Sequence, residues 1–254
     1  MTNWLFHHDV HSHFSLRHWR HGAENSRPMT SKYKERLSVR ENTELMTEIV
    51  KDLSERTRIS TASHMVLWPM ADIFENLVDS SHPKYHDEAY RRELVGLERT
   101  LESILNGKYG PETCRQDFKE LVTTKDHDYA ALEMYRLASL IYLERASRNF
   151  SGTSEKIDDW MTLALSLLQL PLQMKHSFPF FIIGCEARTD KHRIIVLDGI
   201  DKSQAFRPTA AMAIVRDMLQ SAWALEDLET DRELDYMTKL DTVISGCEMM
   251  PTFA

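Results

Sequence analysis

Apolar residues recur at intervals of three and four positions along most of the chain, which is the spacing of one face of an α-helix. Leu45, Ile49 and Leu53 form one such stripe within residues 39–58. Comparable stripes predict helices over residues 62–79, 84–106, 155–170, 190–202, 208–226 and 230–246. Pro69 lies inside the segment 62–79, where we expect a kink or a break because proline removes a helical hydrogen bond.

Two segments are apolar without a clear stripe. Residues 127–149 are apolar most of the way round a helix, which is typical of a central, buried helix. The run from Phe178 to Ile183 fits either a short buried strand or a buried helix with Pro179 in its first turn. The helical surroundings favour the helix.

Composition favours the same class. Gly and Pro number only eight each, whereas an all-β fold needs such residues at its many turns. The sequence shows no repeat of fixed period and no linker rich in Pro or Gly within residues 39–254. We therefore predict an all-α fold, with one domain over residues 39–254 built as a bundle of about eight to ten helices.

Residues 1–38 differ from this body. They hold six of the twelve histidines and show weak periodicity, so we expect a basic, poorly ordered N-terminal extension. The net charge is −8, yet residues 1–40 carry seven Lys and Arg against three acids, so the rest of the chain carries −12. An acidic body repels nucleic acid phosphates.

Cysteine usage and hydropathy bear on the compartment. Cys114, Cys185 and Cys247 are too few for a disulfide framework or a four-cysteine zinc site. No apolar run approaches the ~20 residues that cross a bilayer, and the N-terminus has no secretory h-region. These features predict a cytosolic or nuclear protein without a membrane segment.

The segment with the most metal-binding character is Asp9-Val-His11-Ser-His13. On a strand, His11 and His13 would share one face and could coordinate one metal ion. This pattern is similar to that of the first strand of amidohydrolase barrels. The remaining sequence does not supply the eight strands of such a barrel. We therefore favour a histidine-rich arm and expect no metal or cofactor.

Other titratable clusters have ordinary structural explanations. Residues 126–128 (Asp-His-Asp) precede a buried helix, where an acid caps the helix. The neighbouring acids at 158–159 and 226–227 diverge by ~100° on a helix, so we expect solvated surface rather than a paired catalytic site. Cys185 would need a base to act as a nucleophile, and His176 and His192 are near it only in sequence. We favour a buried thiol there.

Three segments of the chain resemble the fungal-specific transcription factor domain. They are YRLASLIYLERA at 135–146, FPFFIIGCEAR at 178–188 with Arg193 after it, and the ending VISGCEMMPTFA at 243–254. Trp223 and Asp227 add a W-x-x-x-D match. The resemblance covers about residues 60–254. Its motif residues in this chain are Tyr135, Tyr142, Pro179, Phe181, Gly184, Cys185, Glu186, Arg193, Trp223, Asp227, Pro251 and Phe253.

The resemblance implies a helical regulatory domain of zinc-binuclear-cluster activators. In such a domain we expect 135–143 and 180–183 in the core, Gly184 at a close helix contact, and an ion pair between Glu186 and Arg193. Complete members carry a six-cysteine DNA-binding cluster, and this chain has no cysteine before Cys114. We therefore expect no sequence-specific DNA binding from this chain alone.

The resemblance implies a nuclear or nucleo-cytoplasmic transcription regulator, acting through other transcription factors, a homodimer or a small-molecule effector. It would control a metabolic or secondary-metabolite gene cluster. Two alternatives stay open at this point. One is a recruited pathway enzyme of lyase, isomerase or cyclase type, although no catalytic residue stands out, so we lean against an enzyme. The other is a truncated gene product.

Overall fold

The computed structural model describes residues 2–19, 60–106, 127–170, 174, 176–228 and 235–253. Within these ranges the chain forms nine α-helices and no strand, which confirms the all-α prediction. The helices are α1 (Thr2–His18), α2 (Ser60–Asn76), α3 (Glu88–Asn106), α4 (His127–Arg148), α5 (Glu155–Leu168), α6 (Phe178–Cys185), α7 (Asp190–Phe206), α8 (Ala210–Leu228) and α9 (Tyr236–Ser245). A 3-10 turn at Pro83–His86 precedes α3.

The core is built around α4, which packs against α2, α3, α5, α6 and α9. Its residues from Leu137 to Ala146 are all buried, including Glu144 and Arg145, so the helix is enclosed on every side. This position explains the weak hydrophobic stripe of α4, because a helix surrounded by other helices has no face reserved for water.

The ambiguous segment after residue 177 is helical. α6 contains only eight residues, all of them buried, and Pro179 occupies its first turn, where the missing N–H costs no helical bond. α6 packs against α4 on one side and against α7 and α8 on the others. Burial on all sides accounts for an apolar run with neither strand nor helix periodicity.

Most predicted helices are confirmed to within a few residues at their ends. The break expected at Pro69 does not occur: α2 continues through the proline, whose side chain is buried, so the packing of this helix against the core outweighs the missing helical hydrogen bond. The helix expected over 39–58 lies outside the described residues. No described helix combines the length and the apolarity that crossing a bilayer requires.

The N-terminal segment adds an element to the bundle. Of the predicted extension 1–38, residues 2–19 are described, and they form α1, which packs against α2 and α9. Val10 and Phe14 are fully buried in the core. This part of the extension therefore belongs to the same packed body as the other described helices, because it supplies side chains to their common core.

Candidate functional site

The family-motif residues of α6, α7 and α8 meet at one junction. The indole Nε1 of Trp223 on α8 donates to the carbonyl oxygen of Gly184 at 2.9 Å. A side chain at position 184 would place its Cβ only 2.5 Å from the methyl carbons of Leu219. The close approach of α6 and α8 therefore favours glycine at position 184, because a larger residue would force the buried Leu219 side chain to move.

Arg193 organises the solvent side of this junction. Its guanidinium lies over the Trp223 ring at 5.5 Å from the centroid and forms two bonds to the Asp227 carboxylate, at 2.8 and 2.9 Å. This bidentate bond lowers the pKa of Asp227 below its usual range. The adjacent Glu226 pairs with Lys239 of α9, whose ammonium also donates to the Cys185 carbonyl oxygen at 2.9 Å.

The predicted Glu186–Arg193 ion pair is wrong. Glu186 pairs instead with Arg145 of the central helix, through bonds of 3.0 and 2.7 Å, and both side chains are almost fully buried. Arg145 also donates to the carbonyl oxygens of Phe150 and Gly152 at 3.2 and 2.6 Å. The physical reason is that a buried carboxylate needs a buried counter-charge, and Arg193 lies near the surface beside exposed acids.

Cys185 has the properties of a structural thiol. It is buried, and burial raises its pKa to about 12, so the thiolate is scarce at neutral pH.

Among the described residues, the other titratable clusters singled out from the sequence show no paired site. Asp158 and Asp159, which are adjacent in sequence and expected at the surface, are exposed. Residue 126 and the side chains of residues 127 and 128 lie outside the described residues.

The tyrosines of the first motif contact α1. The Tyr142 hydroxyl lies 3.0 Å from Nε2 of His18, whose Nδ1 lies 2.7 Å from the Asp241 carboxylate. The Tyr135 hydroxyl lies 3.2 Å from Nε2 of His7. Burial raises the pKa of both tyrosines and lowers that of His18, which favours the neutral form of each of these three side chains.

The chain ending closes the same side of the bundle. The Ser15 hydroxyl donates to the Pro251 carbonyl oxygen at 2.7 Å. Phe253 is fully buried, with its ring centroid 5.0 Å from those of Phe14 and Phe181. Residues of the first and last motifs therefore pack around α1, a role that their sequence positions do not reveal.

The structure does not arrange Asp9, His11 and His13 as a metal site. They lie on a helix rather than a strand, so His11 and His13 do not share a face. His11 is buried, and burial lowers its pKa to about 3. Its ring stacks on that of His7 with centroids 4.3 Å apart, and the His176 ring lies tilted against the His7 ring with centroids 3.9 Å apart. Within the described ranges, no group of three or more His, Cys, Asp or Glu could hold a metal ion.

An open pocket of about 330 Å³ lies on the other side of α4, between α3, α5 and the 3-10 turn. Its volume is at the lower end of the range for small-molecule sites. Its lining combines aromatic, aliphatic and charged residues: Tyr85, Tyr90, Arg91, Leu94, Val95, Glu98, Leu140, Leu143, Glu144, Ser147, Arg148 and Trp160. This pocket could not be predicted from the sequence, because its walls come from segments up to 75 residues apart.

Comparison with known proteins assigns the family. The family model described as the fungal specific transcription factor domain matches residues 2–244, which include α1. A curated relative, the transcription factor iacI of Pestalotiopsis fici, is 31% identical over 128 residues. That match covers 50% of this chain and 33% of the relative's length. No solved structure matches. The chain belongs to the fungal specific transcription factor domain family.

Proposed function

We propose that this chain is the regulatory module by which a fungal transcription regulator controls a metabolic or secondary-metabolite gene cluster. One observation carries the proposal: the family match extends over residues 2–244, the great majority of the packed helical body. The similarity to iacI, which is named a transcription factor, supports the same class.

The charge of the chain supports regulation through contacts other than DNA reading. The net charge of −8 disfavours the phosphate contacts on which DNA binding depends. Most of the motif residues are engaged in packing, as the Gly184–Trp223 bond and the buried Arg145–Glu186 pair illustrate. Recognition is therefore left to the outer surface and the pocket, with other transcription factors, a second copy of the chain or an effector as partners.

A regulator of transcription must reach the nucleus, so we place the protein there. A fluorescent protein fused to the chain should concentrate in nuclei of the host fungus under conditions in which the target genes are transcribed. Steady exclusion of the fusion from nuclei under those conditions would argue against the proposal.

Gene deletion tests the proposed control of a gene cluster. The transcripts of the host fungus should be sequenced with and without the gene, and the small-molecule products of both strains compared. We expect coordinated loss or gain of transcripts from one set of neighbouring genes, restored when the intact gene is reintroduced. Loss of a product with unchanged transcripts would instead indicate a pathway enzyme.

A further inference from the structure

The pocket between α3, α4 and α5 has aromatic walls on an apolar floor. Tyr85 and Tyr90 lie on one wall with ring centroids 6.3 Å apart, and Trp160 of α5 also lines the cavity. Leu140 and Leu143 of the central helix are buried and form the floor. Planar apolar groups fit such a cavity, because rings favour offset or edge contacts with other rings.

Among the residues that the structure describes, the charged side chains of the pocket pair with one another or with a neighbour, except for Arg91. Glu144 pairs with Arg148 at 3.2 Å, and Glu98 pairs with Lys156 at 2.5 Å. The Arg91 side chain is exposed and forms no ion pair or hydrogen bond with any residue that the structure describes. The pocket therefore presents apolar and aromatic surface together with one available positive charge.

We infer that this pocket binds a small aromatic monoanion, an aryl carboxylate, with its ring among Tyr85, Tyr90 and Trp160 and its carboxylate toward Arg91. A guanidinium matches a carboxylate through paired hydrogen bonds, which a neutral ligand lacks. The cavity of about 330 Å³ accommodates a ligand of one or two fused rings and is too small for a folded partner.

The inference deepens the proposed function, since it rests on that function for the ligand's role as an effector of transcription. Binding itself is a property of the purified chain and does not depend on which genes respond. A failure of binding would thus leave the gene-deletion result standing, and an unchanged transcript profile would leave the binding result standing.

The test uses 2-naphthoate as the probe and 2-naphthylmethanol as its neutral analogue, titrated into the purified full chain by calorimetry or ligand-observed NMR. We expect 2-naphthoate to bind more tightly than the alcohol. Arg91→Glu should weaken naphthoate binding by about fivefold, because an attraction typical of exposed ion pairs becomes a repulsion, and it should leave the alcohol unaffected.

Two further variants make the result specific. Arg92→Glu changes the net charge equally at the neighbouring exposed arginine, which does not line the pocket, so it should alter naphthoate binding less than twofold. Val95→Trp fills the cavity from an exposed position and should abolish binding of both probes. The denaturation midpoint of each variant shows whether it remains folded.

Three results would overturn the inference. The first is a lack of naphthoate binding to the folded wild-type chain at millimolar concentration. The second is an equal loss of affinity in Arg91→Glu and Arg92→Glu, which would show that naphthoate binding depends on the net charge of the protein and not on Arg91. The third is binding that persists in a folded Val95→Trp variant, which would place the probe elsewhere.

Discussion

The Arg145–Glu186 pair offers the sharpest test of the packing. Replacing Glu186 by Gln keeps the size of the side chain and removes its charge. Arg145 is then left in the core with a relative side-chain exposure of 2% and no counter-charge, although the Phe150 and Gly152 carbonyl oxygens still accept hydrogen bonds from it.

The expected cost follows from this geometry. Removing one member of a buried ion pair generally costs about 3–5 kcal/mol, because the remaining charge is desolvated without compensation. The two carbonyl acceptors favour the lower end, about 3 kcal/mol. That is a large fraction of the roughly 5–15 kcal/mol by which domains are stable, so the variant should unfold at a clearly lower urea concentration.

Two companion variants identify the cause. Asp198→Asn breaks the exposed Asp198–Lys202 pair on α7, and its free energy of unfolding should change by less than about 1 kcal/mol. The double variant Arg145→Met with Glu186→Leu removes both buried charges and should be more stable than Glu186→Gln alone.

The assay is urea unfolding followed by far-ultraviolet circular dichroism, with the free energy extrapolated to water. The reasoning is refuted if Glu186→Gln and Asp198→Asn have the same effect.

Three further predictions use the same unfolding assay. Gly184→Ala should destabilise the protein by about 1–2 kcal/mol through its clash with Leu219. Gly96→Ala has open space around it and should stabilise the protein by about 0.5–1 kcal/mol. A change of the same sign in both variants would contradict the packing of Gly184. Phe253→Ala should cost about 3 kcal/mol, and a loss below 1 kcal/mol would show that the tail is not docked. Burial lowers the pKa of His11 to about 3 in the folded state, so its contribution to the free energy of unfolding is present above pH 6.5 and is lost as the pH falls toward 3. Between pH 7 and pH 5 the free energy of unfolding of the wild-type chain should therefore fall by about 2 kcal/mol more than that of His11→Phe. Parallel pH profiles of the two proteins would contradict this.

Local periodicity was sufficient to predict most of the helices. The apolar stripes of α3 and α5 belong to helices with one buried face and one solvent-exposed face. Sequence periodicity predicts helices of this kind best. Even α6 was predicted as a helix, because Pro179 suits a first helical turn and the neighbouring segments are helical. These predictions depend on short-range effects that the sequence displays directly.

α1 was harder to predict because its buried stripe is polar in composition. His7, His11, Ser15 and His18 are buried at helical spacing beside Val10 and Phe14. A pattern that counts only apolar residues misses such a face, whereas counting histidine as an amphipathic residue would have revealed the spacing.

Long-range pairing could not be predicted at all. Glu186 is seven residues from Arg193 in sequence, yet its partner is Arg145, which lies 41 residues earlier on the central helix. Which charge meets which depends on the packing of α4 against α6, and a single sequence contains no measure of that geometry. The same limit applies to the pocket, whose walls come from α3, α4 and α5.

Chromatin occupancy is the most direct measure of whether this chain regulates transcription. An epitope-tagged chain should be expressed from its own locus, and its association with the promoters of the genes whose transcripts respond to deletion should be measured by chromatin immunoprecipitation. The account predicts enrichment at those promoters, whether the chain is held there by partner proteins or otherwise. Responding transcripts without any enrichment of the chain at their promoters would contradict it.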